Sequence, residues 1–290
     1  MRDYIAVDWG SPQLRGWLIR NGQCVETKQL PLGITRLNGR APADVFEEHL
    51  APWRGAETLP VLMAGMIGSD AGWQAVPYLA CPAAIDAPGQ QLCAVAEGVW
   101  IIPGLKMDQA GDYNVMRGEE TQLLGAWLLA PAECYVLPGT HCKWVQMEDG
   151  TVRHFATAIT GELHHLLMTQ SLLGKGLPAQ QPDEAAFERG LEKGLAQPSL
   201  VSELFVARAA RVLGALAATS VSDYLSGLLI GAEVAVMGQR YRPSTVTLVG
   251  DPALNARYSR AMRARGMTVK RCSGDEALLN GMARIMHGQD

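Results

Sequence analysis

No run of lysine or arginine occurs in this 290-residue chain, whose 25 basic and 29 acidic residues leave a formal net charge of −4. Nucleic-acid binders ordinarily carry a basic stripe, so that class loses ground at once. No apolar run approaches the ~18 residues that a membrane span needs. Residues 1–7 read as a charged start followed by a strand, without the basic and apolar regions of an export signal, and the expected location is cytoplasmic. Cysteine is sparse: Cys24, Cys81, Cys93, Cys134, Cys142 and Cys272 form no C-x-x-C pair, and the 6 histidines show no H-E-x-x-H spacing. Those absences argue against a disulfide framework and against a His/Cys metal centre, and most of the cysteines read as reduced apolar fillers. What remains, 48% hydrophobic and 19% charged residues, is the composition of an ordinary globular protein with one large domain or two modest ones.

The chain opens on an apolar strand, Tyr4-Ile5-Ala6-Val7, that runs into the turn Asp8-Trp9-Gly10. Residues 14–19 alternate as a second strand, Asn21-Gly22 is a hairpin turn, and residues 23–29 make a third strand. A helix is expected over 41–53, then an apolar strand from Leu59 that empties into Gly65-Met66-Ile67-Gly68. Residues 73–110 read as loops and brief strands, and 118–129 as a helix closed by Pro131. The opening pattern then returns: a strand at 134–137, the turn Pro138-Gly139-Thr140-His141, a strand at 143–147, the hairpin turn Asp149-Gly150 and a strand at 152–158. Strand, polar turn, strand, hairpin, strand thus occurs twice, which implies a structural duplication and two lobes, residues 1–131 and 132–290. The remainder reads as helices at 187–191, 200–216 and 222–237, a buried strand at 245–249 meeting Gly250-Asp251, a helix at 254–265, a short strand at 268–270 and a closing helix at 276–286. The alternation of strands and helices is that of an α/β protein.

Three turns carry the candidate chemistry. Asp8, Gly10 and Ser11 offer a carboxylate, exposed amides and a hydroxyl, the materials of a phosphate and Mg2+ site, although the same residues also make plain β-turns. Gly139 and Thr140 repeat the arrangement at the matching place of the second meander. His141 beside them is either a general base or a simple hydrogen-bonding partner. Gly250, at a strand-to-helix turn, lets a ligand approach the backbone near a helix N-terminus that favours anions, while Asp251 also suits an ordinary N-cap.

The three turns in this order match the actin/hexokinase ATPase superfamily, and nearly the whole chain closely resembles the 2-dehydro-3-deoxygalactonokinases. The most specific segments are Val7-Asp8-Trp9-Gly10-Ser11, Met63-Ala64-Gly65-Met66-Ile67-Gly68, Met116-Arg117-Gly118-Glu119-Glu120-Thr121-Gln122 and Leu137-Pro138-Gly139-Thr140-His141-Cys142-Lys143-Trp144. The resemblance implies an α/β, two-lobed actin-like ATPase (ribonuclease H-like) fold with an interlobe cleft, and a closing helix that packs back toward the first lobe. It implies ATP and Mg2+ as cofactors. Asp8, Gly10 and Ser11 would form the first phosphate loop with Asp8 on the metal side. Gly139, Thr140 and His141 would form the second, and Gly250, Ala253 and Asn255 would flank the adenosine. The helix at 222–237, with Gly227 and Gly231, is expected to line the nucleotide pocket.

For the proton of the attacking hydroxyl, Glu120 is the favoured base on its likeness to a phosphatase glutamate of the superfamily, with Glu119 next and Asp112 in reserve. Both glutamates also suit the first turn of a helix as macrodipole-stabilised acids. Arg15, Arg117 and the loop carrying Gly65, Met66 and Ile67 are the expected captors of a small sugar-acid anion, with Trp73 as a wall. His164 and His165 are expected near the cleft or in a core or surface role. The implied activity is transfer of the ATP γ-phosphate to the 6-hydroxyl of 2-dehydro-3-deoxy-D-galactonate in galactonate catabolism, with a homodimer as the habitual assembly. The alternatives are the gluconate epimer as substrate, or a phosphatase or nucleotide-regulated sensor of the same fold.

Overall fold

In the computed structural model, which describes residues 3–56 and 58–288, the opening apolar run forms β1 (Tyr4–Trp9), buried along almost its whole length. It continues antiparallel into β2 (Leu14–Arg20) and β3 (Gln23–Leu30). Asn21 and Gly22 both take positive φ, 51° and 75°, as a two-residue hairpin demands. After α1 (Pro42–His49) comes β4 (Val61–Ala64), which lies parallel to β1 with Ala64 opposite Asp8. The segment 73–110 contains β5 (Leu79–Ala80), β6 (Ala83–Ala84), the short α2 (Ala87–Gln90), β7 (Cys93–Ala96), β8 (Val99–Ile101) and β9 (Leu105–Gln109). β7 and β8 complete one sheet of order β3-β2-β1-β4-β8-β7, β5 and β9 join β10 (Asp112–Met116) in a smaller one of order β10-β9-β5, and β6 pairs antiparallel with residues 151–152. Then α3 (Glu119–Leu129) follows. Ile5, Val7, Trp9, Phe46, Met63, Ile67 and Ile101 pack as one core.

A second sheet system begins with β11 (Cys134–Leu137), β12 (Cys142–Glu148) and β13 (Thr151–Ala158), again antiparallel hairpin partners with positive φ at Asp149 and Gly150. Next come α4 (Thr160–Gln170), α5 (Glu184–Ala196), α6 (Leu200–Val212) and α7 (Val221–Tyr241). Then β14 (Thr245–Gly250), α8 (Pro252–Ala264) and β15 (Thr268–Ser273) complete the strand order β15-β14-β11-β12, β14 being parallel to both its neighbours. The helix expected over 200–216 stops at Val212, because Gly214 at φ 77° breaks the ladder. Val136, Trp144, Phe187, Val246, Leu248 and Tyr258 form the core here. The final helix α9 (Gly274–His287) packs on α3 through two glycines. A β-carbon on Gly125 would stand 1.8 Å from the Ala277 carbonyl oxygen, and one on Gly281 would stand 2.1 Å from that of Thr121.

The chain divides into two compact units: one takes residues up to 131, 147–155 and those from 274 on, the other 132–146 and 156–273. One expectation needs correcting. The helical stretch 218–241 is long and apolar enough by length and composition to cross a membrane, and 67% of its most apolar 18-residue window, of mean hydropathy 1.3, is buried in the protein. Asp223 and Glu233 lie buried within it, so it reads as a core helix.

Candidate active site

In the first unit, three chain reversals meet around Asp8. Gly65 follows β4 at φ 96°, and a β-carbon there would stand 2.8 Å from the Trp9 carbonyl oxygen and 3.1 Å from Asp8 Oδ1. Gly118 precedes α3 at φ 104°, and its β-carbon would stand 3.1 Å from the Gly65 Cα. Only glycine permits both this φ and this approach. The end of β1, the loop after β4 and the start of α3 are therefore one locus, which brings Asp8, Gly65 and the 117–120 segment together.

The first turn is held tightly. Gly10 N–H donates to the Gln13 carbonyl, and Ile34 and Thr35 N–H donate to the Gly10 and Ser11 carbonyls. None of these bonds uses the Ser11 hydroxyl. Gly10, named as a phosphate ligand, thus has its amide engaged inside the turn. Arg15 bridges Asp8 and Asp275, so its guanidinium faces the carboxylates of its own unit. That pairing counts against a direct role for Arg15 in capturing a substrate anion.

Arg117 is placed differently. Its guanidinium lies 4.1 Å from the Tyr78 ring centroid, with Nη2 donating to the Val76 carbonyl at 2.6 Å and Nε to the Tyr78 hydroxyl at 3.3 Å. Nη1 is buried without a hydrogen-bond partner, beside Gly68. A buried N–H donor left unmatched is costly, and a carboxylate is the partner it suits best. Of the other pocket residues, Met66 is partly buried and Trp73 packs on Phe46 with ring centroids 5.2 Å apart. Ile67 is fully buried in the core and its carbonyl accepts from Trp73 N–H, so it shapes the loop and offers no side chain to a ligand.

The two glutamates fold back over the turn that opens α3. Arg117 N–H donates to Glu119 at 2.9 Å, and Gly118 N–H to Glu120 at 2.7 Å. Glu120 is 1% exposed and also accepts from the Thr121 hydroxyl. Burial first, and the neighbouring Glu119 charge second, push its carboxyl up to about 8. Asp112, the reserve base, sits at the far end of β10 with His154 Nε2 at 2.5 Å and the Asn114 amide at 3.1 Å, so its carboxylate is committed elsewhere. Among the described residues no group of three or more His, Cys, Asp or Glu side chains is arranged to hold a metal. A Mg2+ ion held by one carboxylate and substrate phosphates would need no such group.

The second unit carries the glycine–threonine turn. A β-carbon on Gly139 would meet nothing within 4 Å, whereas one on Gly161 would stand 2.4 Å from the Gly139 carbonyl oxygen. The first turn of α4 therefore rests directly on the loop, and Glu162 N–H donates to the Thr140 carbonyl at 3.0 Å. His141 is paired with Glu162, Nε2 to Oε2 at 2.6 Å. A cavity of about 120 Å3 opens here, lined by Gly139, Thr160, Gly161, His164, Ser226, Leu229, Ile230, Leu254 and Tyr258. His164 faces it and bonds to the Ser222 carbonyl, while His165 is exposed, as neighbours on a helix must diverge.

The residues expected to flank an adenosine are placed unequally. Gly250 takes φ 153°, and its β-carbon would stand 3.3 Å from the Pro138 carbonyl oxygen, so the late turn and the second phosphate turn are adjacent. Ala253 is exposed with its N–H donated to the Asp251 cap. Asn255 is 2% exposed and its amide donates to the Gly250 and Cys272 carbonyls, so it braces the turn. Leu254 and Tyr258 line the cavity in their place. Helix α7 lines it through Ser226, Leu229 and Ile230, but not through its glycines. β-Carbons on Gly227 and Gly231 would stand 2.1 and 2.6 Å from the Phe187 and Leu191 carbonyl oxygens, so both glycines serve the close crossing of α5 and α7.

Parallel strands ending in an acidic turn in one unit and a glycine–threonine turn in the other define an α/β ATPase-type kinase fold. The same fold occurs in the activator of the 2-hydroxyisocaproyl-CoA dehydratase from Clostridium difficile, solved with bound ADPNP (TM-score 0.54, 13% identity, covering 99% of this chain and 97% of that one). More narrowly, the chain belongs to the 2-keto-3-deoxy-galactonokinase family, whose model matches residues 8–285. It is 50% identical to the 2-dehydro-3-deoxygalactonokinase of Escherichia coli K12 over 98% of this chain and 97% of that protein. A Sinorhizobium meliloti protein provisionally given the same name has a crystal structure that superposes with a TM-score of 0.90 at 31% identity, over 99% of both chains.

Proposed function

We propose that this chain transfers the γ-phosphate of ATP to the 6-hydroxyl of 2-dehydro-3-deoxy-D-galactonate, giving the 6-phospho sugar acid and ADP. The observation that carries this reading is the 50% identity to the Escherichia coli enzyme across nearly the whole of both chains. Phosphoryl transfer needs alignment and charge neutralisation more than covalent help, and the residues divide along those lines. Glu120, with its carboxyl held near the operating pH, takes the proton of the attacking hydroxyl. Arg117 offers its unmatched Nη1–H to the substrate carboxylate. In the second unit the Gly139–Thr140 turn and the uncapped start of α4 suit phosphate oxygens, and the apolar cavity wall of Leu229, Ile230 and Leu254 suits a nucleoside. Asp8 would hold Mg2+, which when bound neutralises phosphate charge.

The supporting roles follow the same chemistry. Ser11 keeps a hydroxyl free of the turn's own bonds, and Arg15 holds Asp8 in place between its own turn and Asp275. We assign the reaction to the cytoplasm, where ATP is abundant. A homodimer is the assembly we expect, with Val201, Phe205 and Val212 on α6 as the exposed apolar residues it would cover; light scattering at low micromolar concentration tests it.

The deciding experiment is ADP release with Mg-ATP on the wild type and on Asp8→Asn, with the galactonate-derived acid, its gluconate-derived epimer and no sugar. Turnover that depends on the first acid and is lost in the variant is the expected result. A preference for the epimer would reassign the substrate, and turnover indifferent to sugar would replace the kinase with a phosphatase or sensor.

A further inference from the structure

We infer that Glu233 is a positioning residue for the nucleotide phosphates, a buried carboxylate that fixes the Gly139–Thr140 turn by gathering hydrogen bonds from three separate elements around it. The inference rests on the ATP-dependent reading above. Glu233 lies in the middle of α7 and is 8% exposed. Its Oε1 accepts from the Trp144 indole N–H at 2.6 Å, and its Oε2 accepts from the Tyr258 hydroxyl at 2.6 Å and the Thr160 hydroxyl at 2.5 Å. Trp144 belongs to β12, the strand that leaves the turn. Thr160 is the first residue of α4, the helix that rests on it. Tyr258 comes from α8. Burial is the main cause that holds both the Tyr258 hydroxyl and the nearby Cys142 thiol well above their ordinary values, so Tyr258 remains a donor at neutral pH.

Thr160 and Tyr258 also line the cavity together with Gly139. The next residue after Thr160 is Gly161, whose closeness to the Gly139 carbonyl and the Thr140 Cα leaves no slack between helix and loop. Moving Thr160 therefore moves the loop. If packing were the only requirement, an apolar side chain of similar volume would serve at least as well, since a buried charge is at best weakly stabilising. A carboxylate is the one side chain that accepts from all three donors without presenting a donor of its own. Glutamine would turn an N–H toward either the indole or the two hydroxyls. The arrangement is that of a support whose value lies in geometry, as expected where phosphates must be held in line.

The test is steady-state kinetics of the full chain carrying Glu233→Gln, Thr160→Val or Tyr258→Phe, with thermal unfolding measured alongside. Glu233→Gln is expected to raise KM for ATP about tenfold, as loss of a charge-assisted hydrogen bond would, while KM for the sugar acid stays within about twofold. Thr160→Val should move KM for ATP the same way by a smaller factor, and Tyr258→Phe likewise. Unchanged KM for ATP in Glu233→Gln and Thr160→Val, or equal rises in both KM values, would overturn the inference, as would a lower melting temperature with only kcat reduced. If Glu233→Gln does not fold, Thr160→Val decides the matter by the same criterion. A wild type with no sugar-dependent ADP release would instead sink the kinase reading. Calorimetric titration with a non-hydrolysable ATP analogue then judges Glu233 alone: weaker binding by the variants supports it, and equal or absent binding refutes it.

Discussion

Replacing Glu120 by glutamine is expected to stabilise the protein and to stop its catalysis, and the two effects have separate origins. Glu120 is 1% exposed, and its carboxyl is pushed from 4.5 up to about 8 by burial and by Glu119. The folded state thus binds the Glu120 proton more tightly than the unfolded chain does. The stability this contributes is fully present below pH 4.5 and is lost as the pH rises toward 8. At pH 7 the loss comes to about 3 kcal/mol, and it approaches about 5 kcal/mol above pH 9, at 1.36 kcal/mol for each pKa unit. Glutamine has no proton to lose, and its carbonyl still accepts from Gly118 N–H. The variant should therefore match the wild type near pH 4.5 and exceed it by about 3 kcal/mol at pH 7.

Urea midpoints of both proteins between pH 4.5 and 9 measure that gap. A gap that does not change with pH, or a wild type that stays the more stable protein at pH 8, would refute the electrostatic argument. The same pair tests the base. A group titrating near 8 is about one-tenth ionised at pH 7, so wild-type kcat should climb with pH through 8. Glu120→Gln should lose about 10²–10⁴ in kcat above pH 8, the usual contribution of a general base, and the deficit should narrow as the pH falls and the wild-type carboxyl protonates. A stabilised variant that keeps its kcat would leave Glu120 as a buried first-turn acid and send the search for the base to Glu119. Stabilisation bought with lost activity is the ordinary signature of a site that holds a strained charge.

Three further outcomes follow from the same geometry. Glu119→Gln removes the second cause of the Glu120 shift, so the rise of kcat with pH should move to lower pH and the stability gap at pH 7 should shrink; pH profiles of the two single variants check this. Arg117→Lys removes the fork that leaves Nη1 unmatched, and KM for the sugar acid should rise about tenfold or more with KM for ATP unchanged, as measured with each substrate varied in turn. Gly227→Ala sets a β-carbon 2.1 Å from the Phe187 carbonyl oxygen and forces α5 from α7. It should cost about 3 kcal/mol of stability, read from thermal unfolding, while activity per folded molecule is kept because these glycines face away from the cavity.

What could be read from the sequence was what is encoded locally. The two meanders were legible because Asn21-Gly22 and Asp149-Gly150 are hairpin turns by their own chemistry, and both take the positive φ that chemistry demands. The Glu119–Glu120 pair was singled out by the family resemblance, since by local chemistry alone two acids at the start of a helix after a glycine suit the first turn equally well. Close approaches between distant segments were not legible. Gly227 and Gly231 lie in an apolar helix next to a cavity, and nothing within 222–237 says that α5 occupies their other side. Ile67 sits in a glycine-rich loop yet fills the core, because the loop turns inward around Trp73. Glu233 was passed over although its setting held a signal: it is the one acid in the apolar stretch 224–237, the kind of position where a charge must find partners or shift its proton. Its three donors lie 89, 73 and 25 residues away along the chain, so only the fold could name them. A lone acid inside a long apolar helix is therefore better read first as the centre of a polar network than as an exposed face.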